Sequence, residues 1–214
     1  MKVLVTAGAT REPIDAVRYL SNISSGATGS AIADFLAASG HEVFLLHGEG
    51  AVRGGSSGVT CGVFGSTEQL AARLESTLGQ GGFDLVVHAA AVADYRPDTT
   101  HLGKLGSYAE ELVLRLVPTP KLLPLLKSWS PTPLRVLGFK LTAGADPAAR
   151  AAAVGKLFAA GGVDAVVHND MSELGSAGAG RTFRVYKAGD SAAAAHALGV
   201  PALCAWIESW ARAI

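Results

Sequence analysis

Residues 6–29 read TAGATREPIDAVRYLSNISSGATG, a strand end that runs into a long polar turn and then into a helix start. Before it, Lys2 to Thr6 are mostly apolar and β-branched, as in a buried parallel strand, and after it Ala27 to Ala38 carry the small and apolar residues of a packed helix. A strand, a glycine turn and a helix N-terminus together present backbone N–H groups and a positive dipole end, the arrangement that receives an anion. The stretch therefore sets both the fold, α/β, and the kind of ligand, one that carries phosphate.

The same alternation continues along the chain. Apolar runs at Val3–Val5, Val43–Leu46, Leu85–Ala89, Val136–Phe139 and Ala165–Val167 alternate with helix-like stretches at Ala27–Ser39, Thr67–Leu78, Pro120–Trp129, Pro147–Ala160 and Pro201–Ala213. This rhythm predicts a three-layer Rossmann-like fold, a mostly parallel sheet with helices on both faces. Asp146-Pro147 supplies an N-cap and a proline at the first helical position, and Gly161-Gly162 ends that helix. Leu112–Val117 and Thr182–Tyr186 read as strands outside the βαβ rhythm, forming a hairpin or an edge extension. Gly48–Gly58 and Gly175–Gly180 read as mobile loops, and Asp98–Glu111, with Lys104 between two glycines, as a flap that closes on a ligand.

Composition narrows the partners. The 214 residues, 49% hydrophobic and 17% charged, suit a single α/β domain over 1–214. Lys plus Arg and Asp plus Glu number 18 each, so no net field draws nucleic acid or an anionic membrane, and an anion site has to be built locally. With no membrane-length apolar run, and with Met1-Lys2-Val3 leading straight into a strand, the expected location is cytoplasmic. Cys61 and Cys204 lie far apart with no metal-ligand spacing and read as buried free thiols.

Two common phosphate signatures are missing: no GxGxxG follows the first strand, and no GxxxxGK[ST] occurs. Arg18 and Asn22, four residues apart among Ser21, Ser24 and Ser25, offer a guanidinium fork, a carboxamide and hydroxyls able to hold a phosphate and a carboxylate. The competing reading pairs Arg18 with Asp15 or Glu12 on the surface and leaves Asn22 to cap the helix. Asp94 closes the stretch AAAVAD at the carboxyl edge of a buried strand, either as a ligand for a divalent cation bridging phosphates or as a cap on the next turn. His88 and His168 each end an apolar strand, where satisfying local backbone groups outweighs proton transfer, and Asn169-Asp170 reads as a turn.

Six ordered blocks, TAGATREPIDAVRYLSNISSG at 6–26, AAAVADYRP at 89–97, the Lys104 flap, TPKLLPLLKSWSP at 119–131, GFKL at 138–141 and HND at 168–170, resemble phosphopantothenoylcysteine synthetase, the phosphopantothenate–cysteine ligase family, over nearly the whole chain. The wording looks closest to the free-standing bacterial form rather than to the form fused behind a flavin-dependent decarboxylase. The resemblance implies a ligase of coenzyme A biosynthesis that joins 4'-phosphopantothenate to cysteine through an acyl-nucleotide, using CTP rather than ATP, with Mg²⁺, in a homodimer with shared sites. It implies catalytic roles for Asn22 and Lys104 and substrate binding by Arg18, Ala90 and Ala91, Arg18 reaching into the neighbouring subunit. Nucleotide binding falls by the same resemblance to Gly8, Thr10, Ser24, Ser25, Gly26, Asp94, Phe139 and Lys140, with Asp94 also holding the metal. Departures from the family pattern are Ala9 in a GGT turn, Ala27-Thr28 in place of a Lys-Met pair, and Gly106 and Ser107 in place of flap lysines. The alternatives are a nucleotide-binding paralogue without ligase turnover and an NAD(P)-dependent oxidoreductase.

Overall fold

The computed structural model describes residues 1–107, 110–173, 180–190 and 193–213. In chain order the strands are β1 (Lys2–Ala7), β2 (Arg11–Pro13), β3 (Tyr19–Ser21), β4 (Glu42–Gly48), β5 (Val59–Phe64), β6 (Leu85–His88), β7 (Tyr95–Pro97), β8 (Leu116–Pro118), β9 (Arg135–Thr142), β10 (Ala165–Asp170), β11 (Thr182–Lys187) and β12 (Ala195–Leu198). The helices are α1 (Ala27–Ala38), α2 (Thr67–Gly79), α3 (Pro147–Ala160) and α4 (Gly199–Arg212).

Eight strands form one sheet in the order β12-β11-β10-β9-β6-β1-β4-β5. From β10 to β5 every pairing is parallel, while β11 and β12 extend the edge antiparallel. The parallel part has the doubly wound dinucleotide order, with the first strand central and the direction of winding reversing between β1 and β6. Ligands bind such sheets beyond the carboxyl ends of the strands at that reversal, where Ala7 and His88 stand.

The apolar runs are continuous because both faces are covered. Val3, Val5, Val43, Leu45, Val87 and Val167 pack with Ile32 and Leu36 of α1 and Leu203 and Ile207 of α4. The alternate residues Leu4, Leu46, Val86, Val136 and Val166 pack with Leu70, Leu74 and Leu78 of α2 and Val154 of α3. Each of the three α2 leucines is fully buried, and such burial contributes about 1.5–3 kcal/mol per side chain. Helix ends follow their sequence signals: Ser66 accepts from Gln69 N at 3.2 Å, Asp146 accepts from Ala149 N at 2.8 Å with Pro147 next to it, and Gly161 ends α3 at φ 79°.

The expected helix over Pro120–Trp129 is not formed. Pro124 lies inside it, and proline lacks the N–H and crowds the preceding turn, so only a 3-10 turn at Leu123–Leu125 survives. Leu122 and Leu126 are still buried from that turn. Strand β8 covers only the end of the expected Leu112–Val117 run and makes a hairpin with β7, whereas β11 matches the expected Thr182–Tyr186 and is the edge extension. Most of the Gly175–Gly180 loop lies outside the described residues. Among the described residues, no helix is long and apolar enough to cross a membrane.

Candidate functional site

Beyond the last residues of β1 and β6 the two chains stay joined. Ala91 N donates to Gly8 O at 2.8 Å, Thr10 N to Ala91 O at 3.2 Å, and Ala9 bridges Ala91. Two threonines at the end of β1 and just past it hold the segment from below: Thr6 Oγ1 accepts from Ala90 N at 3.1 Å and Thr10 Oγ1 from Ala93 N at 3.0 Å. The backbone of 89–93 is thereby fixed along the rim, with small side chains that leave it approachable. Thr10 itself is fully buried, so its hydroxyl serves this scaffold.

The long insert between β1 and α1 folds as the β2–β3 hairpin and lies against that rim. Ser21 Oγ donates to Thr10 O at 2.7 Å, and Asn22 Nδ2 donates to Val92 O at 3.1 Å. Asn22 therefore does not cap the helix; Gly26 is the N-cap of α1, at φ 76° with no side-chain bond. Gly8 and Gly26 owe their glycines to packing. A Cβ on Gly8 would come within 2.7 Å of Ala51 Cβ, and one on Gly26 within 3.0 Å of Gly8 N. The turn is a tight backbone junction, and its remaining free face is the first turn of α1, beside exposed Ser25 and half-buried Ser24.

Arg18 is held within its own chain. Its Nε and Nη2 donate to Asp15 Oδ2 at 3.0 and 2.5 Å, and Nη2 also donates to Leu105 O at 3.1 Å. The Arg18 guanidinium keeps the Asp15 carboxyl far below the usual carboxylate range. Asp15 is buried rather than superficial, and its signal in the sequence was the Asx turn, Asp15 Oδ1 accepting from Val17 and Arg18 N, that follows Pro13. Lys104 is exposed on the segment that Leu105 anchors. By strand register Gly138 faces His88, so half-buried Phe139 and Lys140 run beside Ala89 and Ala90.

Asp94 is exposed and paired with the ammonium of Lys121, a partner the sequence reading did not single out. Arg181 was also missed: its guanidinium donates to Thr28 Oγ1 at 3.2 Å, bringing positive charge to the first turn of α1, where Ala27 supplies none. Each strand-end histidine meets a threonine. Thr6 Oγ1, which accepts from Ala90 N, also hydrogen-bonds His88 Nδ1 at 2.9 Å. Burial pushes the His88 pKa down to about 4. His168 Nε2 lies 2.8 Å from Thr142 Oγ1, and burial lowers its pKa as well. Asn169-Asp170, expected as a turn, instead forms the end of β10 paired with β9, and fully buried Asp170 accepts from Gly144 N, Ala145 N and Ser172 N, fixing the turn that leads into α3.

Residues 1–195 match the family described as the DNA/pantothenate metabolism flavoprotein C-terminal domain. The chain is 39% identical over 176 residues to the coenzyme A biosynthesis bifunctional protein CoaBC of Thermococcus kodakarensis, covering 82% of this chain and 42% of that protein. It is 42% identical over 109 residues to CoaBC of Mycobacterium tuberculosis, covering 51% and 26%. The chain thus spans less than half the length of these relatives. Among solved structures, a DNA/pantothenate metabolism flavoprotein from Streptococcus pneumoniae superposes with a TM-score of 0.87 at 22% identity, over 100% of this chain and 99% of that one. A Cab2 variant in complex with phosphopantothenate-cysteine gives 0.78 at 19%, over 99% and 86%, and both show the shared fold.

These findings correct the ligase expectation. The CoaBC relatives are named as bifunctional proteins of which this chain spans less than half, and the family is named for a flavoprotein. The CTP- or ATP-dependent ligase activity falls with them, as do 4'-phosphopantothenate, cysteine and a nucleoside triphosphate as its partners. Mg²⁺ falls with the nucleotide whose phosphates it was to bridge, and here the Asp94 carboxylate pairs with the Lys121 ammonium.

A flavin fits these residues no better. The cleft beside Asn22, about 290 Å³, is lined by polar groups including Arg11, Ser21, Ser24 and Glu49. Its one aromatic wall, Tyr19, carries the Arg11 guanidinium 4.6 Å from the ring centre, and Glu49 stands 3.9 Å from that guanidinium. A tricyclic ring needs a flat apolar slot, which this polar cleft does not offer. The larger groove, between α2 and the β4–β5 edge, runs from Lys2 to Glu49, which lines both clefts. With residues 1–195 matched, the chain belongs to the DNA/pantothenate metabolism flavoprotein C-terminal domain family.

Proposed function

We propose that this chain works in coenzyme A biosynthesis and that its rim binds a phosphorylated pantothenoyl–cysteine compound. The observation that carries the reading is the Asn22–Val92 hydrogen bond, which folds the serine-rich segment 21–25 over the fixed backbone of 89–93. Support comes from the relatives named for coenzyme A biosynthesis and from the Cab2 structure, whose bound molecule is phosphopantothenate-cysteine. In this reading Ala90 and Ala91 offer backbone groups and Asn22 an amide, while Arg18 and Lys104 supply cations for the anionic groups of the ligand. Ser24, Ser25 and Gly26 border the first turn of α1, and Gly8 and Thr10 shape the junction beneath it.

The test is calorimetric titration of the purified chain with phosphopantothenate-cysteine. Saturable binding that Asn22→Ala weakens is expected; no heat of binding at millimolar ligand ends the reading. A second reading, nucleotide binding at the same rim without ligation, is favoured by the β5-β4-β1-β6-β9-β10 order and would use Asp94, Phe139 and Lys140. Titration with nucleotides in the same experiment separates the two.

We place the protein in the cytoplasm, on its free thiols Cys61 and Cys204, the first exposed. We also assign it a homodimer. Exposed Val17, Tyr19, Ile23, Leu102, Val113 and Leu116 lie in or next to the β2–β3 and β7–β8 hairpins, a composition suited to a self-association face.

A further inference from the structure

Lys104 sits between two fastened points. Upstream, Thr100 Oγ1 donates to Pro13 O at 3.1 Å and His101 N to Ile14 O at 3.0 Å. Downstream, Leu105 N donates to Asp15 Oδ2 at 3.0 Å, and Leu105 O accepts from Arg18 Nη2 at 3.1 Å. Among the described residues, Leu102, Gly103 and Lys104 make no hydrogen bond between them, and a Cβ on Gly103 would meet nothing within 4 Å. The expected flap is, around its lysine, a short arm strapped to the turn 13–18.

Asp15 is the hub of the strap. Its Oδ1 accepts from Val17 N at 2.9 Å and Arg18 N at 2.8 Å, which is enough to hold its own turn. Its Oδ2 does something else: besides Arg18 it takes the amide of Leu105, 90 positions further along the chain. The Asp15 side chain is wholly buried, while that of Arg18 remains 40% exposed, so the carboxylate is shielded from solvent and the guanidinium is still reachable by an anion.

We propose that Asp15 is a positioning residue: through the amide of Leu105 it fixes the short arm that carries the Lys104 ammonium to the anionic part of the rim ligand. This rests on the reading of the rim as a site for a phosphorylated pantothenoyl–cysteine compound. An arm already fixed loses little freedom when ligand arrives, whereas each backbone residue ordered only on binding would weaken it by roughly tenfold.

The experiment is a double-mutant cycle read in two ways. Phosphopantothenate-cysteine is titrated into the wild type, Asp15→Asn, Lys104→Gln and the double variant, and amide exchange at His101 and Leu105 is followed without ligand. Each single variant is expected to bind on the order of tenfold more weakly, with the double within about twofold of Lys104→Gln, because the two residues act through one contact. Exchange at Leu105 should quicken on the order of tenfold in Asp15→Asn and not in Lys104→Gln. Leu105→Pro deletes the amide donor on the arm itself and should reproduce the binding loss of Asp15→Asn, position 105 then having no N–H to exchange; it also carries the binding cycle should Asp15→Asn not fold. Additive losses in the double variant, or unchanged exchange in Asp15→Asn, overturn the positioning role while leaving the ligand reading intact. A wild type that takes no ligand overturns both, and the exchange data then report on the strap alone.

Discussion

The side-chain amide of Asn22 donates to the carbonyl oxygen of Val92 at 3.1 Å, joining two segments 70 positions apart in the chain. Asn22 is exposed, so the bond does little for the core and much for the placement of 21–25 over the rim. Asn22→Ala removes one exposed hydrogen bond, which is about 1 kcal/mol or less of stability. The same change is expected to weaken phosphopantothenate-cysteine binding by at least about tenfold, because the amide is one of few donors facing the cleft. Calorimetry beside a thermal melt checks both, and unaltered affinity would remove Asn22 from the site.

Gly8 has φ 83°, and a Cβ there would lie 2.7 Å from Ala51 Cβ and 3.2 Å from Gly48 N. Both the left-handed backbone and the contact oppose a side chain. Gly8→Ala is expected to lose about 1–3 kcal/mol in urea unfolding. Ala9 is different: it makes an extended bridge with Ala91, a conformation that any residue adopts, so the departure from a GGT turn carries no strain. Ala9→Gly should bring no gain. A Gly8→Ala variant as stable as the wild type would show that the junction yields.

The parts of the fold legible in the sequence are those with a local cause. Val3–Val5 and Val43–Leu46 announce strands covered on both faces, and Asp146-Pro147 and Gly161 mark both ends of α3. Strand β5 escaped because it follows a glycine–serine loop and holds the sheet edge, where Cys61 and Val63 stay exposed and no apolar run forms. The short strands β2, β3 and β7 have three residues each, too few for a period to register, and β8 keeps only the end of its expected run. In the site, Asn22 stood out through its amide among serines. The partner of Asp15 did not, since Leu105 lies 90 positions away and contributes only its backbone. The family blocks located the rim and its relatives, while the ligase chemistry read from them did not survive the comparison with bifunctional proteins.

His88 ties folding to pH. Its ordinary pKa of 6.5 falls to about 4 in the folded chain because burial disfavours the charged ring. Between those values the unfolded chain binds a proton that the folded chain refuses, so stability falls as pH falls from about 6.5 toward 4. The full effect is roughly 3 kcal/mol. In His88→Asn the amide takes the place of Nδ1 beside Thr6 and nothing titrates. Urea unfolding at pH 7.5 and pH 4.5 should therefore show a smaller loss in the variant; equal losses would mean that His88 is free to protonate in the folded protein.

Ile23 is 99% exposed, Leu102 100% and Val113 77%, whereas each face of the sheet is sealed by helices. Large apolar side chains left in water on hairpins outside the sheet contribute nothing to the chain that carries them, and burying them against the same patch of a second copy recovers about 25 cal/mol for each Å² covered. Ile23 and Leu102 sit on the segments that carry Asn22 and the Lys104 arm, so association would also shelter the cleft. Light scattering should give twice the chain mass for the wild type. Val113→Lys places a charge in a self-complementary contact and should bring the mass down to that of one chain, with its melting transition still cooperative. A wild type that stays at one chain mass at the highest soluble concentration, or a Val113→Lys variant that still doubles, would show that these side chains face water for some other reason.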